Sequence, residues 1–195
     1  SIFLYLIAFL EGSALMSSEL ISAKIMAPYY GSSLLVWTSV FICTLTGLAL
    51  GYVLGGKLST KEKGSRRLIQ ILASSCIYFI IMSPLSSFIM EATLSLPIRI
   101  GSLISAIVFL FPLLVLFGMV SPLIIKLLSE NKTDAGEKSS KVYAISTFGG
   151  VLSTVFFGFY FIPNIGLTKS IYIGSTLIFL ASVICFYYFK KRANV

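Results

Sequence analysis

Six apolar runs, each near or above the ~20 residues a helix needs to cross a hydrocarbon core, leave this 195-residue chain few folds to adopt. They are expected at 2–26, 33–56, 68–90, 98–128, 142–162 and 168–189. A segment in lipid must satisfy its own backbone polar groups, which restricts spanning structures to helices and closed barrels. The runs show no ten-residue alternation of apolar and polar positions, so a barrel is set aside. Only 11% of the residues are charged and 57% are hydrophobic, where soluble domains carry about 25% charged residues. The expected fold is an all-α integral membrane protein, a six-helix bundle in a single domain, 1–195, with the lipid bilayer as its solvent.

The breaks between runs carry turn chemistry. Pro28 and Gly31 are expected to end the first helix, and Pro163-Asn164-Ile165-Gly166 the fifth, because proline cannot continue the backbone ladder. Pro84 predicts a kink in the third. The fourth run is long and holds Pro112 and Pro122, so its last two turns are expected along the membrane face. Ser129 to Lys141 reads as a linker. The echo of Pro28-x-x-Gly31 in Pro163-x-x-Gly166 is accounted for by turn chemistry, although transporter folds are often built from three helices plus three. The first run is expected to be a retained span rather than a cleaved signal peptide.

The net charge of +8 does not point to nucleic acid, because the basic residues sit in short clusters between apolar runs. Lys57, Lys61, Lys63, Arg66, Arg67, Lys126, Lys132, Lys138, Lys141, Lys190, Lys191 and Arg192 fall on one side. Lys24, Arg99 and Lys169 fall on the other. Basic loops stay in the cytoplasm, so both termini are expected there, with a bacterial inner (plasma) membrane as the location. Cys43, Cys76 and Cys185 lie inside apolar runs without metal-ligand spacing and read as packing residues. The chain has no histidine, which removes Ser-His-Asp and Cys-His arrangements. No metal, cofactor or enzymatic activity is expected.

Charges inside the first run need a reason. Entering from the cytoplasm at Ile2, the helix reaches Glu11 about 14 Å deep, near the bilayer centre, where an ionised carboxylate is costly. Two readings fit: a carboxylate that binds a proton or cation, and a protonated glutamate hydrogen-bonded between helices. Glu19 follows about 12 Å nearer the outer surface and about 80° around the helix. Its expected partner in an ion pair is Lys24 or Arg99, with Lys24 alternatively snorkelling to the headgroups. Trp37, with Tyr29 and Tyr30, reads as an interfacial aromatic anchor, or more sharply as a stacking surface for a ligand. Glu11 and Glu19 are too far apart along the axis to flank one bond as an acid–base pair.

Glycines at every fourth position let helices approach closely. Gly47, Gly51 and Gly55 form such a face on the second helix, Gly150, Thr154 and Gly158 another on the fifth, and Ala8 and Gly12 a third on the first. Packing within one subunit is the favoured use, with dimerisation the alternative.

Several of these residues, in order, resemble a known family. They are Leu10-Glu11-Gly12, Glu19, Lys24, Pro28, Gly31 and Trp37; Leu50-Gly51-Tyr52-x-Leu54-Gly55-Gly56-Lys57-Leu58; Gly118-Met119-x-Ser121-Pro122-Leu123; and Val142-Tyr143-Ala144-Ile145-Ser146-Thr147-Phe148-Gly149, followed by Gly158 and Pro163-x-x-Gly166. Over nearly the whole chain this resembles the membrane domain of spermidine-synthase-like, or fused major-facilitator/spermidine-synthase, proteins. The resemblance implies a fold like half of a major-facilitator transporter. Two departures stand out. No glycine-rich nucleotide loop with a following acidic residue is present, so polyamine synthesis is not expected. Thr60 and Lys24 stand where aspartate and arginine are commoner.

The expected function is that of a small transporter-like protein binding or moving a small solute, a cation among the candidates, at Glu11, with Glu19 a second acidic site. A half-transporter needs a second half, so a homodimer or a partner membrane subunit is expected. The alternative is a non-transporting subunit that anchors or scaffolds a larger complex.

Overall fold

The computed structural model describes residues 2–60, 64–129 and 134–193. Lys61, Lys63 and Lys132 of the orientation argument lie outside these, as does the side chain of Arg192. The described residues form helices and turns: α1 (Ile2–Tyr30), α2 (Leu34–Ser59), α3 (Gly64–Thr93), α4 (Ile98–Phe109), α5 (Phe111–Leu128), α6 (Ala135–Phe156), a π-helical turn (Phe157–Phe161), α7 (Ile162–Ile165) and α8 (Leu167–Ala193). Six stretches are long and apolar enough to cross a membrane: α1, α2, α3, α5, α6 continued through α7, and α8. The chain therefore has the build of a multi-pass membrane protein. Large apolar side chains such as Phe88, Phe148 and Phe159 lie exposed on the outside, a cost in water but not in lipid.

Three boundaries differ from those expected. Pro28 does not end α1. The helix runs on to Tyr30, and Gly31, at a φ of 76° that favours glycine, turns the chain. The 98–128 run is interrupted at Leu110, giving a 12-residue and an 18-residue helix. Pro112 lacks the N–H that would bond to the Val108 carbonyl, and the Tyr78 hydroxyl on α3 donates to that oxygen instead, at 3.1 Å. The Ser129–Lys141 linker is shorter than expected, because α6 begins at Ala135. An exposed Glu137–Lys141 pair one turn apart supports that start, at a few tenths of a kcal/mol for such a pair.

Packing follows a regular plan. α1 packs most extensively on α6, α2 on α5 and α3 on α8, with α1 also against α8 and α3 against α5. Taking α4 and α5 as the fourth span and α6 and α7 as the fifth, this set of neighbours maps onto itself when the first three spans are exchanged with the last three. The Pro-x-x-Gly echo does not follow that exchange. It joins spans one to two and five to six, so it reflects two similar turns, Gly31 and Gly166, both at positive φ.

Glycines set the two closest seams. A Cβ on Gly51 would meet the Val115 carbonyl and the Gly118 backbone, and one on Gly55 would fall 2.7 Å from Met119 Cα. On the other seam, a Cβ on Gly12 would run into the Ser146 carbonyl, and one on Gly149 into that of Phe9. Gly47, Gly51 and Gly55 thus face α5 of the same chain. Gly150 packs against Met16, whereas Gly158 is loosely placed, 3.9 Å from Leu20.

Candidate functional site

Glu11 sits on the face of α1 that meets α6, and it is 2% exposed. Because Gly12 and Gly149 let the two backbones touch, Ser146 on α6 comes within reach of it. The Ser146 hydroxyl donates to Glu11 Oε2 at 3.2 Å. Two turns further along α6, the Ser153 hydroxyl donates to the Ser13 carbonyl at 2.6 Å, tying the same two helices. No ion pair reaches Glu11 among the described residues.

The carboxylate does not close into a sealed seam. It lines a cavity of about 390 Å³ between α1, α2, α5 and α6. Glu11, Leu15 and Ser121 form its buried floor, and Tyr52, Tyr143, Thr147 and Thr154 stand at its exposed rim. Tyr52 and Tyr143 meet edge to face, with ring centroids 6.1 Å apart. The chemistry of the cavity is one carboxylate, several hydroxyls that donate or accept, two aromatic faces and apolar walls. Its volume lies in the range of small-molecule pockets, roughly 300–1,000 Å³. It offers no cation to balance the carboxylate, and among the described residues no three His, Cys, Asp or Glu side chains cluster to hold a metal.

The other singled-out residues go elsewhere. Glu19 is buried in the α1–α2 seam, 6% exposed. Neither expected partner pairs with it. Among the described residues the one ion pair is Glu137–Lys141. Lys24, five residues on, is turned roughly 140° around the helix from Glu19 and is exposed. Arg99 is exposed at the start of α4. Glu19 instead has Thr44 of α2 beside it, and Oε1 of Glu19 and Oγ1 of Thr44 are both buried without a hydrogen bond.

Lys24 and Trp37 share a separate groove of about 330 Å³ with Leu20, Gly158, Ile162, Pro163 and Leu167. Trp37 also packs on Phe41, centroids 5.8 Å apart. Tyr30 is not an interfacial anchor. It is 5% exposed, and its hydroxyl joins those of Thr93, at 2.5 Å, and Ser105, at 3.0 Å, in a buried cluster that pins the end of α1 to α3 and α4.

Reading charges alone missed Tyr52, Ser121, Tyr143 and Ser146. Their signal was present as hydroxyl-bearing residues inside apolar runs, beside glycines that bring helices together. No family model, curated protein or solved structure matches the chain. Fold and site together define an all-helical chain of membrane-spanning build with a carboxylate-floored cavity among its helices.

Proposed function

We propose that the protein is a transporter-like membrane protein whose Glu11 cavity binds a small organic ammonium ion. The observation that carries this reading is a buried, unpaired carboxylate facing an open cavity rather than a closed helix contact. A carboxylate in low dielectric without a counter-ion is unfavourable by several kcal/mol, and a bound cation relieves that. The aromatic faces of Tyr52 and Tyr143 suit an alkylated ammonium, which is attracted to a ring face. The hydroxyls of Ser146 and Ser121 serve its polar groups.

The neighbour plan, unchanged on exchanging the first three spans with the last three, supports a likeness to half of a major-facilitator transporter. Both termini are then cytoplasmic, in a bacterial plasma membrane. The cavity mouth lies along exposed α6 residues such as Val151 and Val155. Closing a solute path there calls for a second copy or a partner subunit. Of the glycines that the scaffolding alternative would offer to a partner helix, Gly47, Gly51, Gly55 and Gly150 are occupied within the chain, and Gly158 is left open.

The test is equilibrium binding and counterflow of radiolabelled choline and methylammonium in proteoliposomes, with glucose as the neutral control. We expect saturable choline binding that Glu11→Gln reduces at least tenfold while the protein remains monodisperse. Equal behaviour of Glu11→Gln and the parent for both cations overturns the reading.

A further inference from the structure

Glu19 is the group that the cavity reading does not use. It lies two turns beyond Glu11 on α1, about 12 Å along the axis. It is 94% buried, by its 6% exposure. Its Oε1 has no hydrogen-bond partner, and the hydroxyl beside it, Thr44 Oγ1, is also buried and unpartnered. Buried polar atoms in native structures almost always have partners. An ionised carboxylate so placed carries an uncompensated charge, and a proton is the smallest partner that removes it. We propose that this seam is a proton-binding site, at which Glu19 takes up and releases a proton beside Thr44.

The chemistry supports a proton over a metal ion. A calcium or magnesium site needs about six oxygen ligands, and here two oxygens are free. Ser17, Ser18 and Ser22, the nearest hydroxyls along α1, each donate to a carbonyl of their own helix. A proton needs one acceptor at a time. A protonated carboxyl is a neutral donor, and a threonine hydroxyl both donates and accepts, so Thr44 is suited to face either form of Glu19. On release the O–H bond breaks, its electron pair stays on the carboxylate and the proton passes to water as hydronium, with the Thr44 hydroxyl free to turn its donor towards the charge left behind. Among the described residues no charged side chain of the neighbouring helices bears on Glu19, Thr44 being the polar group that faces it, and the other carboxylate of α1, Glu11, is about 12 Å away along the axis. On α1 itself Lys24 is turned roughly 140° from Glu19 and lines the separate groove with Trp37.

The site has a consequence that rests on the proposed use of Glu11. The two residues are about 12 Å apart along the axis, and at an effective dielectric of about 20 two unit charges at that range shift proton occupancy by at most about tenfold. A cation that neutralises Glu11 removes the negative charge favouring protonation of Glu19. Binding at one site thus releases a proton at the other, the coupling an exchanger requires.

The experiment has two arms. In the first, infrared difference spectra of the lipid-reconstituted protein between acid and alkaline pH follow the C=O stretch of protonated carboxyls. We expect a band of a weakly hydrogen-bonded acid that titrates, disappears in Glu19→Gln, persists in Glu11→Gln and shifts in Thr44→Val. A band unaffected by Glu19→Gln, or a Glu19 band that never titrates, overturns the proposal. Thr44→Val decides the matter if Glu19→Gln fails to fold, because an unshifted band there overturns it as well. In the second arm, choline is added in weak buffer and the released proton is read with a pH indicator. Release in the parent and its loss in Glu19→Gln, with choline still bound, supports the coupling, and choline binding without proton release overturns it. Absence of choline binding overturns the Glu11 reading and the coupling, while the infrared band still decides the proton site.

Discussion

The α1–α6 and α2–α5 seams are built from the same device and put it to opposite uses. In both, glycines remove the side chain where two helices cross, and backbone meets backbone. In the α2–α5 seam, Gly47, Gly51 and Gly55 meet Leu114, Val115 and Met119, and Gly118 of α5 meets Leu48 and Gly51, and the contact is dry and apolar. Leu114 is completely buried. In the α1–α6 seam, Gly12, Gly149 and Gly150 bring together Glu11, Ser13, Ser146 and Ser153. Close approach serves dispersion in the first case and polar contact in the second. In lipid there is no hydrophobic drive between helices, so a dry seam supplies stability through packing alone. A polar seam can hold a carboxylate at a depth where water cannot serve it. The cavity opens on the polar seam, bordered by Leu48 and Tyr52 of α2 and Ser121 of α5.

The strongest way to break this contrast is to fill the dry seam. Gly51→Leu places a large side chain against the Gly118 backbone, which cannot yield as a side chain can. Overpacking of well-packed cores costs about 1–3 kcal/mol or more. We expect Gly51→Leu to lose folded, monodisperse protein after detergent extraction, and Gly158→Leu, at a loose position, to retain it. A tolerated Gly51→Leu shows that the α2–α5 contact is not needed for the fold.

A smaller effect is expected in the polar seam, and of a different kind. Ser146→Ala deletes a hydrogen bond to Glu11 without filling any space. At 3.2 Å it is a long bond that adds little hold between the helices, but it donates to the carboxylate that a cation would pair with. We expect choline affinity to fall by roughly tenfold while the denaturation midpoint in SDS stays near that of the parent. A change in stability without a change in affinity assigns Ser146 to the fold and removes it from the site.

Much of this arrangement was legible in the amino-acid order. Apolar run length foretold six spans because a bilayer sets that length directly, and every-fourth glycines marked α2 as a packing face. The partner of each glycine was not legible. Gly118 and Gly149 lack the repeating pattern, yet contact Gly51 and Phe9 across helices. Charge reading located Glu11 but assigned Glu19 an ion pair, because sequence distance hides the roughly 140° turn between Glu19 and Lys24. The break at Leu110 was hidden for a related reason. Pro112 announces a missing N–H, but only the third dimension shows Tyr78 filling the gap it leaves. Tyr30 looked like a surface aromatic, since nothing local reveals that Thr93 and Ser105 stand behind it.

The finest probe of the two seams is Ser153→Ala. The Ser153 hydroxyl gives α6 a second hold on α1 through the Ser13 carbonyl, 2.6 Å away. That carbonyl lies inside α1, where a helix also offers it the N–H four residues on. Removing the hydroxyl therefore strands no acceptor. Interhelical hydrogen bonds of this sort average about 0.6 kcal/mol in double-mutant cycles in membranes, and we expect a loss of that order in an SDS-titration midpoint. Choline affinity should be unchanged, because Ser153 does not line the cavity. Ser146→Ala and Ser153→Ala then separate along two axes, one moving binding and the other stability. If Ser153→Ala also weakens choline binding, the hydroxyl acts by setting the spacing of α1 and α6. The polar seam is then one cooperative unit, in which the hold on the helices and the presentation of Glu11 cannot be divided.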